Sequence, residues 1–154
     1  MDRDLADLCP SSCQSMFIAS LRPDGSHRWS RQYRGTWDPS APARPSIAFD
    51  ERGGVAVSGT FADTLDVRPH GLWTAGSAEG GCDAFLAVWD ATDASVLLAR
   101  RITGPSCPEN VWGTIVDPFG ATILAGTFRD SVTLLRGTYP AAGEIDAFLV
   151  RQSD

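Results

Sequence analysis

The 154 residues are 43% apolar and 9% aromatic, a composition that fits one packed domain and speaks against general disorder. A net charge of −6 argues against nucleic acid or an anionic membrane surface as a partner, since either needs a basic face to displace counterions. No stretch approaches the roughly 20 apolar residues of a membrane span, and Met1 to Asp7 has no basic start followed by an apolar run. Fifteen Gly and ten Pro punctuate the chain too densely for long helices and predict short strands joined by turns.

In chain order, residues 1–14 form an N-terminal tail that holds Cys9 and Cys13. Strands are expected over 17–21 and 29–33, joined at Pro23-Asp24-Gly25 as a hairpin. A second hairpin is expected from 47–49 through Asp50-Glu51-Arg52-Gly53 into 55–61. A third runs from 84–88 through Ala91-Thr92-Asp93 into 96–102. The fourth runs from 114–116 through Asp117-Pro118-Phe119-Gly120 into 122–128, and a last strand covers 147–151.

These strands repeat. Asp83-Ala84-Phe85-Leu86-Ala87 returns as Asp146-Ala147-Phe148-Leu149-Val150, with a looser copy at Ser15-Met16-Phe17-Ile18-Ala19. Ser58-Gly59-Thr60-Phe61 returns 67 residues later as Ala125-Gly126-Thr127-Phe128. Phe85, Ala87 and Trp89 point to one side of their strand and Ala84, Leu86 and Val88 to the other, so this strand must be covered on both faces. The 28–31 and 96–101 strands carry more charge and read as outer strands.

The order of these landmarks resembles bacterial β-propeller repeats of the seven-bladed type, and the likeness extends from about Met16 to Arg151. The resemblance implies an all-β fold of antiparallel four-stranded blades, about two blades' worth, as an incomplete or open propeller. Within a partial repeat domain over 15–154 it implies a half blade at 15–35, a full blade at 46–103 and a three-stranded partial blade at 111–152. Nine strands are too few for a ring of at least four blades, so the open ends need cover. A fragment of a longer protein, head-to-tail assembly of copies, or an open sandwich would each supply it. The family's setting implies an extracellular or cell-surface location.

Candidate sites are sparse. Cys9 and Cys13 have half-site spacing for zinc, but Cys82 and Cys107 stand 25 apart and form no second close pair. The expected hairpin brings Cys82 and Cys107 to the same end, which suits a disulfide; Cys9 and Cys13 suit a second, and reduced thiols stay open as the alternative. His27 and His70 sit beside turns, and neither a Gly-x-Ser-x-Gly elbow nor a His-Glu-x-x-His helix occurs. Asp50 and Asp117 read as turn openers, with Gly53 and Gly120 supplying positive φ. All thirteen basic residues are Arg; Arg28, Arg31, Arg34, Arg100 and Arg101 read as solvated outer strands.

Trp37, Trp73 and Trp112 fall in or near connections and are the candidate ligand contacts, for protein or carbohydrate on a loop face. No cofactor or metal is indicated. The expected function is a non-enzymatic binding or scaffold module. The alternatives are part of a propeller enzyme, a lyase or hydrolase whose site needs further blades, or a purely structural extracellular protein. Asp, His and Arg gathered at one sheet end with unusual burial would favour the enzyme.

Overall fold

The computed structural model describes residues 15–36, 45–51, 53–67, 70–75, 82–106, 109–134 and 136–153. Strands and turns account for the described residues, and no helix occurs among them. A hairpin of β1 (Ser15–Leu21) and β2 (His27–Thr36) comes first. Next come β3 (Ser46–Phe49), β4 (Gly54–Asp66), the short β5 (Leu72–Thr74), β6 (Cys82–Asp90) and β7 (Val96–Ile102). Then follow β8 (Asn110–Val116), β9 (Thr122–Phe128), the β10 (Ser131–Leu134) and β11 (Gly137–Pro140) hairpin, and β12 (Asp146–Gln152).

Among the described residues all pairing is antiparallel and no sheet closes on itself. Strands β3, β4, β6 and β7 pair in that order as a four-stranded meander. Strands β8, β9 and β12 form a three-stranded sheet in the same sense, with β12 at its edge. Among the described residues the β1–β2 hairpin joins the first sheet through Gly35 and Thr36, which pair with Leu65 and Ala62 of the long β4.

The result is three layers: the hairpin, the middle sheet and the last sheet. Period-two alternation divides the middle strands between two cores. Val55, Val57, Phe61, Phe85, Ala87 and Trp89 pack toward the hairpin, where Ile18 and Trp29 meet them. Ala56, Ala84 and Leu86 pack toward the last sheet, against Val111, Leu124, Phe128 and Phe148. The middle sheet is therefore covered on both faces, as the doubly apolar 83–89 run requires. Trp29 Nε1 donates to Ala91 O at 2.7 Å and ties the hairpin to the β6–β7 turn.

The repeat landmarks have local physical causes. Asp50 Oδ1 accepts from Gly54 N at 2.6 Å, and Asp117 Oδ1 accepts from Phe119 N and Ala121 N at 2.9 Å each. Both turns close on a left-handed glycine, Gly53 at φ +89° and Gly120 at φ +84°, a conformation that costs glycine least. In the Gly-Thr-Phe strands the glycine makes room: a Cβ on Gly126 would strike the Phe148 ring and Asn110 O. Gly59 stands opposite Phe85 in the same way, so glycine on one strand and phenylalanine on the next are one packing unit.

Two connections between the expected strands themselves contain strands. β5 lies in the 62–81 connection and pairs with the far end of β4. The β10–β11 hairpin lies in the 129–145 connection, where Val132 and Leu134 point into the core between the middle and last sheets. Both are short alternating runs without the repeat's landmarks.

Candidate functional site

The three tryptophan candidates separate clearly. Trp37 lies outside the described residues. Trp73 belongs to β5, is half-buried and stacks at a tilt on Phe61 with ring centroids 6.5 Å apart, so it is a packing residue rather than a loop contact. Trp112 is 53% exposed and sits where β8 bulges between Val111 and Gly113, inside a strand rather than in a connection. Its Nε1 donates to Thr127 Oγ1 at 3.0 Å, which holds the indole on the outer surface of the last sheet.

Cys82 is disulfide-bonded. Cys9, Cys13 and Cys107 lie outside the described residues, so the expected Cys82–Cys107 pairing, read from the hairpin, and the Cys9–Cys13 pairing, read from spacing, fall outside what the structure describes. His27 and His70 are both exposed.

The largest polar assembly gathers where β6 begins and β7 ends, and sequence reasoning missed most of it. Asp83 follows Cys82 and is 0% exposed. Arg101, placed across from Phe85 on β7, donates from Nε to Asp83 Oδ2 at 2.8 Å and from Nη2 to the same oxygen. Arg101 was expected on a solvated edge with Arg100; its guanidinium instead neutralises a sealed carboxylate. Arg28, Arg31 and Arg100 are exposed as expected, while the side chain of Arg34 is outside what the structure describes.

Glu109 completes this assembly. It precedes β8, is 0% exposed, and neither carboxyl oxygen finds a hydrogen-bond partner among the described residues. Its backbone oxygen accepts from Thr60 Oγ1 at 3.1 Å, and its carboxyl lies over Gly104, where any side chain would collide with Glu109 Oε1 and Ser131 O. Burial pushes the carboxyl up to about 8, and the nearby charges of Asp83 and Asp130 push the same way. At neutral pH Glu109 is thus a protonated, neutral acid. The repeat gives no hint of it, because the position 67 residues earlier is Pro42.

A pH dependence follows with a definite sign. The folded pKa lies above the unfolded value, so the stability contribution is complete below about pH 4.5 and is lost progressively up to about pH 8. Replacing Glu109 with Gln keeps the shape and removes the titration. In urea titrations the variant is expected to gain on the parent as pH rises, by on the order of a few kcal/mol near pH 9. Parallel curves from pH 5 to 9 would contradict the assignment.

Asp and Arg do gather with unusual burial at one sheet end, without histidine. Yet a catalytic carboxyl must touch its substrate, and Asp83 and Glu109 are both closed to solvent. Arg101 and Asp83 tie β7 to β6, and Thr60 ties the entry to β8 to β4. Among the described residues no three His, Cys, Asp or Glu side chains group as metal ligands, and no helix is long and apolar enough to cross a membrane.

The accessible surfaces are of another kind. The far edge of β12 pairs with no strand among the described residues, and beside it opens a cleft of about 960 Å³. Phe128, Leu134 and Phe148 line its floor, with Arg100, Arg136 and Arg151 around it. Arg151 is held by Asp117, with Nε 2.8 Å from Oδ2. The outer face of the last sheet shows Trp112, Ile115 and Leu149, and the outer face of the hairpin shows Phe17 and Leu21. No family model matches the chain, and no curated protein matches it in sequence.

Proposed function

We propose that the chain is a non-enzymatic repeat module of the β-propeller type, serving binding or scaffolding through its open edge and faces. One observation carries the reading: successive sheets stack with the same polarity. The Phe85 side of the middle sheet meets the layer before it and the Leu86 side meets the layer after it, and Phe148 keeps the same sense in the last sheet. Blades of a propeller stack in this way. In that frame β12 is a third strand, and the cleft beside it is the place of a fourth. An extended segment laid there would gain main-chain hydrogen bonds from β12 and seat its side chains on Phe128, Leu134 and Phe148, the usual mode of strand addition at a free edge.

The test is to supply that strand. Appending a second copy of residues 91–102, the turn and strand that follow β6, after Ser153 offers β12 the neighbour that β6 has in β7. The grafted chain is expected to melt about 3 °C or more above the parent, as about 1 kcal/mol of added stability does in a chain of this size. An unchanged or lower midpoint, with the graft cut rapidly by protease, would count against the reading.

A further inference from the structure

The two open faces are the unmatched halves of an interface that the chain makes twice within itself. At the first internal interface Ile18 and Met16 of the hairpin pack toward Phe85, Ala87 and Trp89 of the middle sheet. At the second, Leu86 and Ala84 pack toward Phe148 and Leu124 of the last sheet. By repeat position Ile18, Leu86 and Leu149 are equivalent, and so are Phe17, Phe85 and Phe148. Ile18 and Leu86 are covered by the following layer, whereas Leu149 is 75% exposed. Phe85 and Phe148 are covered by the preceding layer, whereas Phe17 is 62% exposed. Each end therefore presents what the other end lacks.

Charge points to the same pairing. The hairpin carries Arg22, Arg28, Arg31 and Arg34 against Asp24 alone, a net +3 in a chain whose total is −6. The last sheet and its connections bear Asp117, Asp130, Glu144 and Asp146, which exceed Arg129, Arg136 and Arg151. The end that carries Phe17 is net basic and the end that carries Leu149 is net −1, with Asp117 paired to Arg151.

Resting on the repeat-module reading, we infer that the occupant of the Leu149 face is the Phe17 face of a second copy of this chain, so that copies associate head to tail. Such a contact is heterologous. It buries different surfaces on its two sides and propagates into a ring or a filament.

That asymmetry supplies the test, made on the full chain by size-exclusion chromatography with light scattering over a range of concentrations. The parent is expected to exceed the mass of one chain as concentration rises. Phe17→Glu and Leu149→Glu alter exposed residues, and each variant should keep the β-sheet circular dichroism of the parent while running as a single chain. Mixed in equal amounts they are expected to form a species of two chains and no larger one, since only one productive contact remains between them. A parent that stays a single chain at every concentration would overturn the proposal. So would a Phe17→Glu variant that still dimerises alone, which means a symmetric contact, or an inert mixture. A stabilised graft at β12 beside a monomeric parent would sink the self-association and leave the module reading standing.

Discussion

Replacing Arg101 with Leu is expected to destabilise the chain by about 3–5 kcal/mol, the usual cost of removing one partner of a buried charge. Asp83 is fully enclosed at the start of β6, and two donors of Arg101 converge on its Oδ2. Without the guanidinium the carboxylate loses two charge-assisted donors in a place closed to solvent. The Asp83→Leu/Arg101→Leu double variant is expected to recover much of the loss, since neither charge of the pair remains. Denaturant midpoints of the two single variants and the double variant complete the cycle. A loss under about 1 kcal/mol for Arg101→Leu would show that Asp83 is solvated or held by other groups.

The strands were legible where the repeat and the two-residue period agree. Phe85, Ala87 and Trp89 were separable from Ala84, Leu86 and Val88 by alternation alone, and the structure sends the two sets into different cores. Asp50, Gly53, Asp117 and Gly120 were legible because a turn is a local event, set by an Asp side chain and a positive φ. β5 and β10–β11 were hidden: each is short and lies between landmarks, and β5 finds its neighbour only by folding back onto the far end of β4.

The polar assembly was hidden for a different reason. Nothing in the composition around Glu109 tells a buried acid from a surface one; its enclosure depends on Gly104, Thr60 and Ser131, which come together only in the fold. Arg101 beside Arg100 looked like one exposed pair. Because side chains alternate along a strand, one of the two is turned to Asp83 and the other to solvent. Trp73 misled because the connection holding it folds back as β5 and lays the indole on Phe61.

The second large effect concerns two leucines that the repeat makes equivalent and the stack makes different. Leu86 is 0% exposed and lies between the middle and last sheets, so truncation to Ala is expected to cost about 2–5 kcal/mol in lost transfer energy and residual cavity. Leu149 has the same place in its own strand, but among the described residues no layer covers it. Its truncation is expected to cost no more than about 0.5 kcal/mol in dilute solution, where copies are apart.

The most direct test of a one-way stack of repeat sheets is therefore the difference in unfolding free energy between Leu86→Ala and Leu149→Ala, measured side by side in urea at low protein concentration. Several kcal/mol lost at Leu86 and almost none at Leu149 is the predicted result. Equal losses at the two positions would contradict it, because they would mean that both leucines face a covered interior and that the last sheet has no open side.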